Sequence, residues 1–369
     1  MVYLCTITLA ALLLPPTATR AAVDVNHSSD NYFGRLMDVY TATGGADDST
    51  MAERLSTVVA GTAVTSLNTE FIEVEHQGRT RDAILYVPPA TPAGTALPLV
   101  FNYHGFGSDG LQQVVYSFMN PLADEEQFAV IYPYGVGIAG VGRSHNGGSC
   151  CPIANSRDDP TDDVGCAIAW VAEVSRLLAD RGLSLDRSRI YSTGMSNGGF
   201  MSLRLGCEAA QLFAAVSTVT GVLGNESPTT DDFECGPGST GGLSVPMLHI
   251  HGTADGTVPY SAVGRGIETF RAINRCGETG EPVQTYSRGN ATCLSYCPLP
   301  LPNVTLCSIA GGGHDWFGSP LCEIVGGREI GCSDIDSTRE IWAFFKRYSR
   351  EIDGTVVRGK IAPSNTRAK

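Results

Sequence analysis

The residues best suited to covalent chemistry lie at 194–198, where Gly-Met-Ser-Asn-Gly matches the pattern G-x-S-x-G. A short apolar run precedes them and a helical pattern over 197–207 follows. In this strand–turn–helix context the pattern predicts a nucleophile elbow, a strained turn that projects the Ser196 hydroxyl from a sheet. The helix N-terminus would direct free N–H groups toward the reaction centre. Ser196 is therefore a candidate nucleophile. The alternative is a glycine-rich turn with an unreactive serine.

A serine hydroxyl needs a base, and the base needs an orienting carboxylate. In sheet enzymes of this kind the chain order is Ser, then Asp or Glu, then His, each after a strand. Asp255 follows a predicted buried strand, although an aspartate before glycine is also common in turns. His314 follows the next predicted strand and a run of three glycines, and no histidine occurs after it. A surface-loop histidine is the alternative there. Asp315 is a weaker candidate for the acid, because adjacent side chains rarely align.

An oxyanion formed by this chemistry needs two backbone donors. One comes just after the nucleophile, and the other from the loop that follows the third strand. The first donor is predicted to be the N–H of Asn197. The second is predicted in the loop 104–107, where we choose the N–H of Phe106. His104 is expected to pack under this loop and not to react.

Two further patterns suggest cofactors but are better explained otherwise. Residues 135–140 match G-x-G-x-x-G after a strand, yet no helical pattern follows, so a mobile loop near the site is favoured over a dinucleotide site. His249 and His251 would share one face of a strand, but no third ligand accompanies them. Core packing is therefore favoured over metal binding. We expect neither a cofactor nor a metal.

The elements that must position these residues alternate between strand and helix patterns. This alternation predicts an α/β fold with a mostly parallel central sheet and helices on both faces. The predicted strands are a hairpin over 71–87 and the runs 97–103, 128–132, 190–193, 213–219, 245–251 and 304–309. The predicted helices cover 163–181, 197–207, 263–274 and 336–347.

The chain has 369 residues, 43% hydrophobic and 17% charged, which suits one large globular domain. Its net charge of −13 argues against nucleic acid or an anionic membrane as a partner, but not against a neutral polymer. The interval 1–22 is predicted to be a secretory signal, with a buried N-terminal strand as the alternative. An extension over 23–65, a catalytic domain over 66–352 and a loose basic tail over 353–369 follow.

Cysteines and sequons support export. Loss of Cys5 with the signal would leave eleven of the 12 cysteines, so one thiol would stay free. We expect a Cys207–Cys235 disulfide, and we expect Cys150 and Cys151 each to bond elsewhere, since neighbours lie outside the usual Cα separation. Sequons are predicted to be surface glycan acceptors. They begin at Asn26, Asn225, Asn290 and Asn303.

Several stretches together resemble the secreted polyhydroxybutyrate depolymerase-like and feruloyl esterase-like serine esterases of the α/β-hydrolase superfamily. They span about residues 70–350 in the right order, which is more specific than G-x-S-x-G alone. They are LVFNYHG at 99–105, DDVG at 162–165, TGMSNGG at 193–199, HIHGTAD at 249–255, GGGHDW at 311–316 and the final helix at 340–345. The resemblance implies Ser196 as nucleophile, His314 as base and Asp255 as acid.

Three departures from the family pattern bear on the substrate. Phe317 stands where the family often has proline, Phe106 where many members carry cysteine, and His145-Asn146 where a Trp-Asn pair is frequent. We expect these positions to line the pocket. The expected substrate is a hydroxyalkanoate polyester or an aromatic or acetyl ester of a cell-wall polysaccharide. The alternatives are an acetylxylan esterase, a peptidase of the same fold and a non-catalytic secreted binding protein.

Overall fold

The computed structural model describes residues 69–138, 142–151, 161–224, 233–277, 281–297, 303–322, 330–351 and 355–358. The strands are β1 Thr69–His76, β2 Arg79–Tyr86, β3 Ala96–Tyr103, β4 Ala129–Pro133, β5 Val136–Ile138, β6 Gly142–Ser144, β7 Ser184–Gly194, β8 Ala215–Val219, β9 Met247–Gly252, β10 Val283–Arg288, β11 Ala291–Ser295, β12 Val304–Ile309, β13 Tyr348–Arg350 and β14 Val356–Arg358. The helices are α1 Gly110–Ser117, α2 Met119–Glu126, α3 Asp163–Asp180, α4 Asn197–Glu208, α5 Val263–Ile273 and α6 Ser337–Phe345.

Ten of the described strands form one sheet in the order β1-β2-β4-β3-β7-β8-β9-β12-β11-β10. The six neighbours from β4 to β12 are parallel, and antiparallel strands extend both sides. Alternate side chains along the strands enter two apolar cores, one against α3, α4 and α5 and the other against α1, α2 and α6. The prediction of a mostly parallel sheet covered by helices on both faces is confirmed.

Local signals at the helix ends explain why the predicted helices form. Asp162 precedes α3, and its side chain accepts a hydrogen bond from the Gly165 N–H at 2.7 Å. Asp336 caps α6 in the same way, accepting from the Arg339 N–H at 3.0 Å. The predicted hairpin over 71–87 is also present as β1 and β2. Two helices, α1 and α2, and the β10–β11 hairpin were not predicted.

Two predicted loops are partly ordered as strands. The glycine-rich segment after residue 135 was expected to be a mobile loop, but β5 pairs with β6 as an antiparallel ribbon. The predicted loose tail over 353–369 includes β14, which pairs with β13. The predicted signal over 1–22 and extension over 23–65 lie outside the described residues. No helix in the described ranges has the length and apolar content needed to cross a membrane.

The cysteine prediction is right at one pair and wrong at another. Cys207 bonds Cys235 as expected. Cys150 and Cys151 bond each other, with a Cα separation of 3.7 Å. Cys151 has a φ of 67°, in the left-handed region that residues with a side chain rarely adopt. The remaining bridges among the described residues are Cys276–Cys297, Cys293–Cys307 and Cys322–Cys332, and the free thiol is buried Cys166.

The two sequons within the described residues differ in accessibility. Asn290 is exposed in the turn between β10 and β11. Asn303 was expected at the surface, but it is 4% exposed and its Oδ1 accepts from the Ser295 hydroxyl at 2.8 Å. Burial follows because Asn303 lies directly before β12, a strand that has β9 on one side and β11 on the other. Asn26 and Asn225 lie outside the described residues.

Candidate active site

The turn that carries Ser196 joins β7 to α4 at the carboxyl edge of the sheet. Ser196 has a φ of 52°, in the left-handed region that costs energy for a residue with a side chain. Its N–H donates to the Val219 carbonyl at 2.8 Å, which holds the turn against the end of β8. A Cβ on Gly198 would overlap the Tyr103 carbonyl, so the helix start can approach β3 only as glycine. This is the backbone that a nucleophile elbow requires.

Asp255 and His314 meet at the same edge. They follow β9 and β12, which are parallel neighbours, and the Nδ1 of His314 lies 2.8 Å from the Oδ2 of Asp255. The other carboxylate oxygen accepts from the N–H groups of Thr257 and Val258, each at 2.8 Å. Burial opposes ionisation of Asp255. Hydrogen bonds from His251 and His314 outweigh it and lower the pKa of the carboxyl well below its usual range.

The glycines before His314 allow the acid and base loops to lie side by side. A Cβ on Gly252, at the end of β9, would overlap the carbonyls of Gly312 and Gly313. The Ala254 N–H donates to the Gly312 carbonyl at 2.9 Å across the same contact. The glycine run therefore serves a close backbone approach, as its sequence indicated.

Asp315, the weaker candidate for the acid, has a different environment. It is buried, and its Oδ1 accepts from the N–H of Trp316 at 3.0 Å. The imidazole of His314 is bonded instead to Asp255. This geometry supports Asp255 as the orienting acid.

The predicted oxyanion loop lies against the elbow. A Cβ on Gly105 would stand 3.6 Å from the Cβ of Ser196. The fully buried His104 supports the loop, because its Nδ1 bonds the Gly105 carbonyl at 2.7 Å and its Nε2 accepts from the Gly135 N–H at 2.9 Å. Burial lowers the pKa of His104 well below its usual range, so the ring is neutral. This confirms the packing role predicted for His104.

The side chain of Asn197 contributes a contact that the sequence did not reveal. Its Oδ1 accepts from the His145 N–H at 2.7 Å and its Nδ2 donates to the His145 carbonyl at 2.9 Å. The same Nδ2 lies 3.7 Å from the sulfur of Cys150. The residue after Ser196 thus fastens the segment 144–151 to the elbow. Its own N–H lies in the first turn of α4, where backbone N–H groups have no acceptor within the helix.

The segment 144–151 is also anchored from behind. The Asn146 N–H donates to Oδ2 of Asp163 at 2.6 Å, and Asp163 forms a buried ion pair with Arg81. Gly147 packs against Phe200 in α4 so closely that a Cβ would collide with it. The wall beside the elbow is therefore fixed on two sides.

The prediction that all three departures line the pocket is wrong for two of them. Phe317, His145 and Asn146 are each 0–1% exposed, so none can touch a substrate. Phe317 fills the core beneath the base loop, where it packs against Gly312. Phe106 differs, since its side chain is 41% exposed.

Two groups of side chains that resemble metal sites are already engaged in other bonds. His249 and His251 are buried, and their rings bond each other at 3.0 Å. A second cluster contains Asp315, Cys322 and Cys332, but the two cysteines are joined in a disulfide and offer no thiolate.

A parallel sheet with a serine elbow after β7, an acid after β9 and a histidine after β12 defines an α/β-hydrolase fold. Residues 82–232 match the family model described as "Esterase PHB depolymerase". The chain is 30% identical over 298 residues to the protein named "Putative esterase NocK" of Nocardia uniformis subsp. tsuyamanensis, covering 73% of this chain and 80% of that one. The chain belongs to this esterase family and is a carboxylic ester hydrolase.

Other relatives include feruloyl esterase B of Piromyces equi, at 29% identity over 247 residues. That match covers 63% of this chain but only 42% of the relative. Poly(3-hydroxyalkanoate) depolymerase C of Paucimonas lemoignei is 26% identical over 273 residues, covering 67% and 60% of the two chains. Among solved structures, an acetyl xylan esterase from Aspergillus awamori has a TM-score of 0.52 at 17% identity, over 67% of this chain and 94% of that one. This last likeness concerns the fold alone.

Proposed function

We propose that the chain is a secreted serine esterase in which Ser196 is the nucleophile, His314 the base and Asp255 the orienting acid. The 2.8 Å hydrogen bond between His314 Nδ1 and Asp255 Oδ2 carries the proposal. It keeps a proton on Nδ1, which leaves Nε2 free to accept one. The strained turn of Ser196 and the pair lie at the same edge of one sheet.

The reaction takes two steps through an acyl-enzyme. The Ser196 oxygen attacks the ester carbonyl carbon while Nε2 of His314 takes its proton. The carbonyl oxygen becomes an oxyanion held by the N–H groups of Phe106 and Asn197. The C–O bond to the leaving alcohol then breaks, and His314 returns the proton to that alcohol. Water repeats the sequence on the acyl-enzyme, releasing the acid and restoring Ser196.

The exposed ring of Phe106 supports a role in substrate choice. If its N–H holds the oxyanion, its side chain stands beside the reacting carbonyl. We propose as substrate a hydroxyalkanoate polyester or an aromatic or acetyl ester of a cell-wall polysaccharide, in line with the named activities of the relatives. A panel of methyl ferulate, acetylated xylan and a polyhydroxybutyrate film tests this assignment.

Secretion is supported by the cysteine usage. Five disulfides among the described residues suit an oxidising compartment. Exposed Asn290 is the sequon that we propose to carry a glycan. Mass spectrometry of the protein recovered from the culture medium of its native host tests both points, through the mature N-terminus and the glycopeptide at Asn290.

Serine-directed labelling tests the central proposal. A fluorophosphonate probe should label the wild-type chain, and Ser196→Ala should abolish both the label and the hydrolysis of p-nitrophenyl butyrate. Parallel assays on peptide anilides separate an esterase from a peptidase. Labelling that persists in Ser196→Ala, or a chain that never labels, would reject Ser196 as the nucleophile. The second result would also favour a non-catalytic binding protein.

A further inference from the structure

Two buried histidines of β9 are joined by hydrogen bonds to the acid of the site. His249 and His251 are both fully buried. The Nε2 of His251 lies 2.9 Å from the Val258 carbonyl oxygen and 3.2 Å from Oδ2 of Asp255. The Nδ1 of the same ring lies 3.0 Å from Nε2 of His249. A continuous chain of polar contacts therefore runs from His249 through His251 and Asp255 to His314.

The partners fix where the protons are. A carbonyl oxygen can only accept, so Nε2 of His251 carries a proton, which it shares between Val258 and Asp255. When the His251 ring is neutral, its Nδ1 accepts from the Nε2–H of His249. Burial, together with the neighbouring His251, lowers the pKa of His249 well below its usual range, so its ring is uncharged. The pair thus presents one directed N–H to the carboxylate.

The N–H of His251 is directed at one particular oxygen of Asp255, namely Oδ2. Oδ2 of Asp255 is the atom that also bonds His314, whereas Oδ1 is occupied by two backbone N–H groups. His251 therefore donates a hydrogen bond to the same negatively charged oxygen that orients the proposed base, His314. We propose that His251 is a positioning residue, which holds Oδ2 of Asp255 toward His314 and moderates its charge, while His249 fixes the ring of His251. This inference rests on the proposed function.

Other titratable side chains lie beside the His251 ring. Asp255 and His249 are bonded to the ring, and Tyr260 packs against it. The Tyr260 ring meets it edge-on with centroids 5.9 Å apart. The Tyr260 hydroxyl points away, to the Ser308 hydroxyl in β12 at 2.5 Å. Tyr260→Phe therefore removes a hydroxyl from this neighbourhood without touching the chain of imidazoles.

Substitution of His251 separates positioning from packing. His251→Phe keeps an aromatic ring but removes the donor, so kcat should fall about tenfold with KM nearly unchanged, as for a lost hydrogen bond to a charged group. Charge left on Oδ2 would then favour the imidazolium of His314. The acid limb of kcat/KM should therefore move to higher pH by about half a unit.

Matched variants complete the experiment. His251→Gln places an N–H near the position of Nε2 and should restore most of kcat and the original pH profile. Tyr260→Phe should match the wild type in both. If His251→Phe does not fold, His249→Phe replaces it. Loss of its bond to Nδ1 frees the His251 ring to change tautomer, so the same shift should appear at smaller size.

The outcomes are separable from the proposed function. An unchanged kcat and pH profile in folded His251→Phe or His249→Phe, or a failure of His251→Gln to restore activity in a folded protein, would overturn the positioning role. In that case Ser196-dependent labelling would still stand. If fluorophosphonate labelling does not depend on Ser196, the proposed function fails first, whatever the His251 variants do.

Discussion

The two sides of Ser196 are held together by different kinds of contact. The base side carries the proposed base, and there the contacts are between side chains, since His314 and His251 are both bonded to one carboxylate oxygen of Asp255. The oxyanion side carries the proposed N–H donors. There the contacts involve the main chain, through the close approach of the Gly105 loop and the two bonds from Asn197 to the His145 main chain. We therefore expect catalysis to be lost on the base side when one side-chain atom is replaced, and on the oxyanion side when the path of the main chain is altered.

The sharpest test of the base side is Asp255→Asn. An amide in place of the carboxylate can donate to Nδ1 of His314, which stabilises the wrong tautomer and removes the stabilisation of the imidazolium. We expect kcat to fall about 10⁴-fold, with the melting temperature within a few degrees of wild type. Asp315→Asn is the matched control and should retain activity within a few fold. Equal losses in the two variants would contradict the assignment of the acid.

Removal of a main-chain N–H donor tests the oxyanion side. Phe106→Pro removes the proposed N–H donor, and kcat should fall by about 10²- to 10³-fold, the usual effect of losing one such donor. Phe106→Ala keeps the N–H and should leave kcat on p-nitrophenyl acetate nearly unchanged while altering KM for bulkier acyl groups. Circular dichroism establishes that both variants fold. Similar kcat values for folded Phe106→Pro and Phe106→Ala would place the donor elsewhere.

A smaller effect is expected on the pH dependence of the free energy of unfolding, through His145 on the oxyanion side. Burial, together with the charges of Arg81 and Arg143, lowers the pKa of His145 to about 3. The unfolded chain binds this proton near the ordinary histidine value, so stability should fall as pH drops below about 6.5, at up to about 1.4 kcal/mol per unit. His145→Phe should lower the slope of the unfolding free energy against pH between 4 and 6 by up to about 1.4 kcal/mol per unit, while the buried His104 and His249 keep their own contributions.

His145→Gln controls for packing in that experiment. Glutamine does not titrate, so it should lower the slope as much as phenylalanine does, even if the two variants differ in stability at pH 7. Urea unfolding at each pH measures the slopes. Slopes equal to that of the wild type would show that His145 does not contribute to the acid sensitivity.

The sequence predicted the residues whose signals are local. Ser196, Asp255 and His314 each follow an apolar run that becomes a parallel strand, so their arrival at one edge follows from the order of the elements. The bond between Asp255 and His314 is what that order implies. The reactions assigned to them remain predictions that the experiments above test.

The rest depended on contacts between distant parts of the chain. The side chain of Asn197 meets a segment 52 positions away, which no local pattern encodes. The burial of Phe317 could not be predicted either, because it results from the packing of the His314 loop over the core. The exposed strand β10 lacks an apolar alternation, so it gave no strand signal. The bond between Cys150 and Cys151 joins neighbours whose Cα separation of 3.7 Å lies below the usual range for a disulfide, so the spacing argued against it.

The buried asparagine before β12 has a bearing on how the protein matures. If the chain is secreted and glycosylated as proposed, the sugar is added before the sheet is complete. A sugar on Asn303 would displace this buried side chain from its hydrogen bond with Ser295, next to the start of β12. We therefore expect chains glycosylated at Asn303 to fold poorly, whereas a sugar on the exposed Asn290 would leave the sheet intact. Glycan occupancy in the folded protein should accordingly be low at Asn303, whatever it is at Asn290.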